Sequence, residues 1–208
     1  MHINISKIPT YYINLEEHTN NKTSIEQMLR SKGFCNINRT PGIKISGYEG
    51  MAYYQKINHY MGVGMAQINA MRNIKNCLPA LILEDDVKFT EYFQTEIEIP
   101  NNTDAIYLGV SCVGNAYGKD LKNGFARIFN VLAAHAIIYI NPEFLNKCYD
   151  MAKESIIDNM MPFDLKQSEL LCSYNVITPI NPFFYQSNDR QSANKWEDLT
   201  NKSLRIYG

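Results

Sequence analysis

The sequence predicts a single three-layer α/β domain over residues 1–208, with a mixed, mostly parallel central sheet. Strand-like and helical segments alternate in the first half of the chain, and segments suited to antiparallel pairing follow in the second half. The chain contains 208 residues, of which 45% are hydrophobic, and this content is sufficient to bury one large core.

The charge balance and the cysteines limit the functional classes. A net charge of −1 gives no electrostatic footprint for nucleic acid. Since no segment approaches ~18 consecutive apolar residues, no membrane span is expected. The N-terminus lacks a signal-peptide pattern, and the 5 cysteines are scattered without a C-x-x-C pair. Together these features predict a reducing, cytoplasmic environment.

The first half of the chain is expected to alternate strands and helices. Thr23 or Ser24 is expected to cap the first helix, and Gly33 to end it. Gly62 and Gly64 are expected to divide a later helical stretch into two helices. The expected elements are a strand at 8–15, a helix at 24–32, two short strands within 34–45 and helices within 51–78.

The second half is expected to contain shorter elements. Asn141 and Pro142 form a typical helix start. Residues 110–124 are expected to form a long active-site loop, and the tail from Ser187 is polar. The other expected elements are a short helix near 90–94, a strand at 104–109, 125–129 and 132–140 paired as a hairpin or adjacent strands, helices at 141–155 and 162–173, and strands at 174–179 and 183–186.

The most informative stretch is a central apolar run that leads into three acidic residues. The apolar residues 80–83 are typical of a strand buried on both faces, and Glu84, Asp85 and Asp86 follow directly. These carboxylates repel one another, and a divalent cation is the usual remedy. Ligands of open α/β sheets lie beyond the carboxyl ends of the strands. The pattern therefore predicts a metal and phosphate site, with a solvated turn as the alternative.

Several short segments across residues 10–190 occur in the order found in a known enzyme family. They are Tyr11 to Leu15, Gly33-Phe34, Gly62 to Gln67, Leu81 to Val87, Asp104 to Gly109, and Pro162-Phe163-Asp164. With them the chain resembles the GT-A glycosyltransferases, and more closely the family-25 group of lipooligosaccharide and collagen galactosyltransferases. Virus-encoded capsid-glycan transferases are similar. Ala66-Gln67 replaces the family's Ser-His, and Glu16-Glu17-His18 lacks its Arg, which leaves the donor sugar open.

The resemblance implies a role for each acidic residue. Glu84 to Asp86 would act as a DxD-like motif that binds Mn²⁺ or Mg²⁺ together with a UDP-sugar. Asp86 would be the direct metal ligand, Glu84 would contact the ribose or reach the metal through water, and Asp85 would orient its neighbours. Candidates to complete the metal shell are His135, Asn188 and Asp189. A histidine on an apolar strand such as that of His135 is otherwise an ordinary core residue.

Four further residues are candidates for contacts with the nucleotide. Tyr12 and Asn14 belong to the first strand, and Asn14 at its end would face the nucleotide or simply terminate the strand. Arg39 and Arg72 are candidates for the diphosphate, because a guanidinium matches phosphate geometry. Surface positions for both arginines are the alternative.

Asp164 is the candidate general base. It follows Pro162-Phe163 at a helix start, where a carboxylate serves either as an N-cap or, as the family motif implies, as the group that deprotonates an acceptor hydroxyl in an inverting reaction. Asp158 is the fallback. Aromatic residues suited to sugar stacking or to core packing are Tyr117, Phe163, Phe183, Phe184 and Tyr185.

The predicted function is that of an enzyme, a metal-dependent hexosyltransferase. It would move glucose, galactose or rhamnose from a UDP-hexose donor to a hydroxyl of a surface or capsid glycan or glycoprotein acceptor. One alternative is a nucleotidyltransferase or phosphohydrolase that uses the same acids, although the sequence has no Gly-Lys phosphate loop. A further alternative is a non-catalytic carbohydrate-binding or scaffold domain.

Overall fold

The structure is a computed structural model that describes residues 1–46, 52–110, 117–132, 134–157, 161–186 and 205–207. Its helices are α1 (Thr19–Ser31), α2 (Ala52–Ile74), α3 (Pro142–Ile157) and α4 (Phe163–Ser168). Its strands are β1 (His2–Asn4), β2 (Thr10–Asn14), β3 (Ile37–Pro41), β4 (Ala80–Glu84), β5 (Val87–Phe89), β6 (Glu96–Glu98), β7 (Ala105–Tyr107), β8 (Tyr117–Asp120), β9 (Phe125–Asn130), β10 (Ala136–Tyr139), β11 (Val176–Pro179), β12 (Phe184–Gln186) and β13 (Arg205–Tyr207).

The main sheet confirms the predicted mixed α/β class. It is 9-stranded, in the order β13-β8-β9-β11-β7-β10-β4-β2-β3. Strand β4 is parallel to β2, which is parallel to β3, whereas β10 is antiparallel to both β4 and β7. Strand β9 is likewise antiparallel to β8 and β11. Among the described strands of this sheet, β9 and β10 alone run against the common direction, so the sheet is mixed but mostly aligned one way.

Helices cover both faces of the sheet. On β4, Ala80 and Ile82 pack into a cluster that includes residues of α2 and α3. Leu81 and Leu83 point to the opposite face and pack into a second cluster with Ile25 of α1. These four apolar residues of β4 are all buried. The alternation along one strand therefore joins two cores, and the three-layer prediction is confirmed.

Two predictions for the first half are wrong in detail. Helix α1 begins at Thr19 after His18, not at Thr23 or Ser24, because nothing in the polar stretch interrupts helical hydrogen bonding: Lys22 N already donates to His18 O at 3.1 Å. Helix α2 is continuous through Gly62 and Gly64. A Cβ on Gly62 would lie 2.3 Å from Ile43 O, so this glycine permits close packing and does not break the helix.

The other boundaries in this half agree with the prediction only in part. Gly33 has a φ of +82°, in agreement with its predicted place just beyond α1. Within 34–45 one strand, β3, is found among the described residues. The short helix expected near 90–94 does not form, and residues 87–89 and 96–98 on either side of it form β5 and β6. These short strands pair with β12 and β1 respectively.

The expected hairpin between 125–129 and 132–140 is wrong. Strand β9 pairs with β8 and β11, and β10 lies between β4 and β7. The reason is burial: every residue of β10 is buried, and a strand of that kind is most stable in the middle of a sheet. Strand β8 also occupies part of the expected 110–124 loop, whose residues 111–116 lie outside the described ranges.

The late elements follow the prediction more closely. Asn141 Oδ1 accepts a hydrogen bond from Glu143 N at 2.7 Å, which confirms the predicted start of α3. Helix α4 ends at Ser168, earlier than expected, and turns follow it. Of the tail from Ser187, the described residues are those of β13, which pairs in parallel with β8. Within the described ranges, no helix combines the length and the apolar character needed to cross a bilayer.

Candidate functional site

A cleft of about 1090 Å³ opens at the carboxyl end of β4. Its walls come from the end of β2, residues 42–46, one face of α2, the turn after β4, and the start of α4. The polar and charged side chains in its lining are His18, Asn21, Lys44, Ser46, Asn58, His59, Tyr60, Gln67, Glu84, Asp85, Asp86, Lys88, Asp164 and Gln186. The position agrees with the general location of ligands in open α/β sheets.

The cleft brings together four carboxylates that the sequence analysis selected. Glu84 is the last residue of β4, and Asp85 and Asp86 form the turn that leads into β5. Asp164 joins them from the first turn of α4. Each of the four is partly buried. The chain therefore concentrates negative charge where water is partly excluded, which is costly unless protons or cations compensate.

The electrostatics of Glu84 reflect this crowding. Burial, reinforced by the charges of Asp86, Asp164 and Asp85, raises the pKa of Glu84 to about 8. Gln186 Nε2 donates a hydrogen bond to Glu84 Oε2 at 2.5 Å. Glu84 therefore holds a proton at neutral pH until a positive group arrives.

Asp86 and Asp164 are shifted in the same direction. Burial and the charge of Asp85 raise the pKa of Asp86 to about 6, against the opposing effects of Gln186 and Lys88. Burial raises the pKa of Asp164, and the hydrogen bond from Leu165 N to its Oδ1, at 2.9 Å, acts in the opposite direction. Both groups are thus better proton acceptors than ordinary aspartates.

Asp85 is held by a chain of hydrogen bonds behind the cleft. Asn14 Nδ2 donates to Asp85 Oδ2 at 2.6 Å and to His18 O at 3.0 Å. Arg39 Nε donates to Asn14 Oδ1 at 3.0 Å, and its Nη1 lies 2.8 Å from Glu16 Oε2. Arg39 and Asn14 are absent from the cleft lining. Both side chains support the acidic turn from behind, and the nucleotide contacts expected of them stay predictions.

Two further candidates, Tyr12 and Arg72, lie away from the cleft. The Tyr12 hydroxyl donates to Glu26 from a buried position, and its packing belongs to the α1 side of the sheet. Arg72 donates to the Tyr149 hydroxyl at 2.9 and 3.1 Å, so its guanidinium is engaged by α3. The structure does not bring these two side chains to the carboxylates, because each has a nearer partner.

His135 is close to β4 in the backbone but not at the site. Its carbonyl accepts a hydrogen bond from Glu84 N at 2.9 Å. The residue is 1% exposed, and its ring lies beside the Phe184 backbone. Burial lowers the pKa of His135 to about 4, so the imidazole is neutral. The ring is absent from the cleft lining, in agreement with the core alternative.

The remaining sequence candidates divide into two groups. Asp158, Asn188 and Asp189 lie outside the described residues. Among the aromatics, Phe183 and Phe184 are buried, and the rings of both pack against that of Phe93. Tyr117 stacks on Phe129. Phe163 is also buried, but it lines the cleft beside Asp164.

Sequence reasoning missed several lining residues. Lys88 follows Asp86 by two positions, a local signal that could have been used, and its Nζ donates to Ser24 Oγ at 2.8 Å. Gln186 reaches the site because β12 pairs with β5, in a register that places it opposite Val87. No local pattern reveals that pairing. Gln67 stands where the family resemblance implies donor contacts, and it belongs to the cleft lining.

The metal prediction can be compared with the donor set. Within the described ranges, no three carboxylate, imidazole or thiol side chains converge into a protein-only cation site. Asp86 Oδ1 is nevertheless buried without a hydrogen-bond partner among the described residues. Mg²⁺ is often held by one or two carboxylates while substrate phosphates and water complete the shell. The residues present fit that arrangement.

Comparisons with known proteins do not assign a family. No family model matches the chain, and no curated protein matches it. One similar solved structure is described as the crystal structure of a glycosyltransferase involved in the glycosylation of the major capsid of PBCV-1. It has a TM-score of 0.37 and 8% identity, over 84% of this chain and 93% of that chain. A likeness this weak assigns neither family nor function.

Proposed function

We propose that this chain is a metal-dependent glycosyltransferase that moves a hexose from a UDP-sugar to a hydroxyl of a glycan or glycoprotein. One observation carries the proposal: Glu84, Asp85, Asp86 and Asp164 meet in one deep cleft at the carboxyl end of β4. Their crowding raises the pKa of Glu84 to about 8 and that of Asp86 to about 6. Such perturbed acids in a cleft favour a site that binds cations or transfers protons.

Asp86 and Glu84 are the residues that would hold Mn²⁺ or Mg²⁺. Asp86 offers a buried oxygen without a partner among the described residues, and Glu84 faces the same cleft. When bound, the ion supplies Lewis-acid stabilisation of the negative charge on the leaving diphosphate. Carboxylate and phosphate oxygens suit Mn²⁺ or Mg²⁺ better than Zn²⁺. Lys88 adds a positive charge beside Asp86.

Asp85 positions the turn and does not bind the donor in this proposal. Its Oδ2 is already occupied by Asn14 at 2.6 Å. Asn14 is fixed in turn by Arg39, whose charge is shared with Glu16. This chain of contacts keeps the turn in one orientation, so that Asp86 faces the cleft without rearrangement. Preorganisation of this kind raises affinity because less ordering is required on binding.

Asp164 is the proposed general base. As the oxygen of the acceptor hydroxyl forms a bond to the anomeric carbon, its proton passes to Asp164 and the bond from that carbon to the diphosphate breaks. Burial raises the pKa of Asp164, which strengthens it as a base. A base separate from the acids that would hold the cation suits inversion at the anomeric carbon.

The finer features of the proposal come from the sequence resemblance. They are glucose, galactose or rhamnose as the transferred hexose, a surface or capsid glycan as the acceptor, and the cytoplasm as the site of action. Hexose epimers differ by one hydroxyl orientation, so the donor is best identified by direct binding.

The deciding experiment is isothermal titration of UDP and a panel of UDP-hexoses, with Mn²⁺ or with EDTA. We expect binding that requires Mn²⁺ and is lost in Asp86→Asn, because that variant removes the charge facing the cation. Asp150→Asn is the matched control, since Asp150 is exposed on α3 and pairs with Lys153. A folded wild-type protein that binds no uridine nucleotide in Mn²⁺ would contradict the proposal.

Binding alone does not separate an enzyme from a scaffold. Incubation of the wild-type protein with the best donor and Mn²⁺ should release UDP, either by slow hydrolysis or by transfer to an added glycan. Donor binding without any release of UDP, across a panel of acceptors, would favour the non-catalytic alternative.

A further inference from the structure

Gln67 is a buried side chain of the cleft in which neither the amide nitrogen nor the amide oxygen has a partner among the described residues, whereas the buried Asn58 of the same lining lacks one for its Oδ1. It lies on α2, is 1% exposed, and belongs to the cleft lining. Neither Oε1 nor Nε2 has a hydrogen-bond partner within the described ranges. Buried amides are nearly always hydrogen-bonded, because an unmade bond leaves the cost of desolvation uncompensated. The amide therefore lacks a partner that a ligand can provide.

The chemistry of the amide restricts that ligand. A glutamine side chain presents two N–H donors and one carbonyl acceptor. A phosphate only accepts hydrogen bonds, so it would satisfy Nε2 and leave Oε1 facing negative charge. A sugar hydroxyl both donates and accepts, and neighbouring hydroxyls can satisfy both ends of the amide. The edge of a uracil base also offers both functions, and it is the competing partner.

The position of the helix distinguishes the sugar from the base. Helix α2 contacts both β4 and α4, and these elements carry Glu84 and Asp164. In the reaction, the anomeric carbon must lie between the diphosphate, held at Asp86, and the acceptor hydroxyl at Asp164. The wall of α2 beside these groups is therefore the wall that the transferred hexose faces. Val63 and Ala66, the lining neighbours of Gln67 on this helix, are apolar, and the other polar lining residues of α2, Asn58, His59 and Tyr60, lie nearer its N-terminus.

We propose that the Gln67 side-chain amide hydrogen-bonds hydroxyl groups of the transferred hexose and so determines donor-sugar specificity. This inference rests on the proposed function. A site built to bond a hydroxyl rejects an analogue that lacks it, because the buried amide is then left unpaired. Gln67 accordingly contributes little to the affinity for UDP and much to the preference for one UDP-hexose over its deoxy analogue.

The test compares Gln67→Met with the wild-type protein. Methionine has a similar length and no polar hydrogen-bonding amide, and Gln27→Met on the exposed face of α1 is the matched control. Titration with UDP, the preferred UDP-hexose and its deoxy analogue is carried out in Mn²⁺. We expect UDP affinity to stay within about twofold, while affinity for the UDP-hexose falls about tenfold and the preference over the deoxy analogue disappears.

A second readout needs no ligand. The thermal midpoint of the ligand-free Gln67→Met protein should equal or exceed that of the wild type, because the substitution removes an unpaired buried amide. A large drop in this midpoint would show that the amide is bonded within the protein, and would overturn the inference. Where Gln67→Met does not fold, Gln67→Asn shortens the reach of the amide and is expected to lose the same sugar preference.

The remaining outcomes are also distinguishable. Equal losses for UDP and UDP-hexose would show that Gln67 contacts the nucleotide, and unchanged affinity for both would show that it contacts neither; each result overturns the inference and leaves the proposed function standing. Absence of UDP binding by the wild-type protein would instead overturn the proposed function, and the hexose assignment with it.

Discussion

Asn14 Nδ2 and Asp85 Oδ2 are 2.6 Å apart, and their hydrogen bond joins the ends of two parallel strands, β2 and β4. Asn14 is 2% exposed and also accepts a hydrogen bond from Arg39 Nε at 3.0 Å. The neutral Asn14 side chain thus links Arg39 to the acidic turn by hydrogen bonds, while Arg39 itself is absent from the cleft lining. Asn14 makes the shorter of two contacts to Asp85 Oδ2, since His18 Nδ1 lies 3.8 Å from the same oxygen.

Asn14→Ala should therefore weaken both stability and binding. Loss of a buried partner of a charged group is expected to lower the free energy of unfolding by about 1–3 kcal/mol. The freed turn should lower the Mn²⁺-dependent affinity for UDP by about tenfold, which is ~1.4 kcal/mol. Denaturant unfolding and titration measure the two effects. Asn146→Ala, at an exposed position on α3, is the control; an affinity equal to wild type in Asn14→Ala would show that the relay does not matter.

Glu84→Gln should stabilise the metal-free protein at high pH. The pKa of Glu84 rises from 4.5 to about 8 on folding, so its contribution to stability is fully present below pH 4.5 and is lost as the pH rises through 8. The glutamine variant has no such loss. At pH 8 we expect it to be more stable by roughly 2 kcal/mol, since one pKa unit corresponds to ~1.4 kcal/mol and solvent in the cleft screens part of the repulsion.

The measurement is denaturant unfolding in EDTA at pH 5 and pH 8, with Glu91→Gln, at an exposed position, as the control. Parallel pH profiles for wild type and Glu84→Gln would refute the assigned shift.

Asp164→Asn should separate binding from catalysis. The amide keeps the size of the side chain but cannot accept the acceptor proton, and general-base catalysis typically contributes about 10²–10⁴-fold. We expect transfer to fall by at least about 10²-fold, while Mn²⁺-dependent UDP binding stays close to wild type. Single-turnover transfer and titration on the same preparation test both. Transfer near the wild-type rate would exclude Asp164 as the base.

Gly62→Ala should destabilise the protein although alanine favours helices. The added Cβ would lie 2.3 Å from Ile43 O, a backbone atom that cannot move without shifting the cleft-lining residues 42–46. The clash is expected to cost about 1–3 kcal/mol, more than the ~1 kcal/mol of helix propensity gained. Gly64→Ala, whose Cβ would lie 3.1 Å from the Ile156 side chain, is the milder comparison in thermal unfolding. Equal midpoints for the two variants would argue against the close contact.

The central strand and its acidic turn were predictable because their signal is local. An uninterrupted apolar run, residues 80–83, can only be buried on both faces, and the carboxylates that follow must then lie at the edge of the sheet. Asp164 was found through a family motif, and the structure brings it to the same cleft. Those features depend on a few consecutive residues.

The contacts that the sequence did not reveal share a different cause. Arg39 and Arg72 carry the chemistry of phosphate binding, but their partners Asn14 and Tyr149 are set by tertiary packing. Gln186 joins Glu84 from 102 residues away, and β10 pairs with strands distant from it in sequence. Pairings over such separations have no local signature, so the identity of the residues that complete the site could not be inferred from their neighbours.

The burial of β4 on both faces has a consequence for how the acidic turn responds to charge. Leu81 and Leu83 are locked into one core and Ala80 and Ile82 into the other, so the strand cannot slide or tilt without disturbing both layers. Movement of the strand therefore cannot relieve the repulsion among the carboxylates at its end. That repulsion must be relieved chemically, by protons or, in the proposed function, by a cation that binds with the donor. The rigidity of β4 therefore keeps the carboxylates crowded and, for the same reason, preorganised to bind a cation.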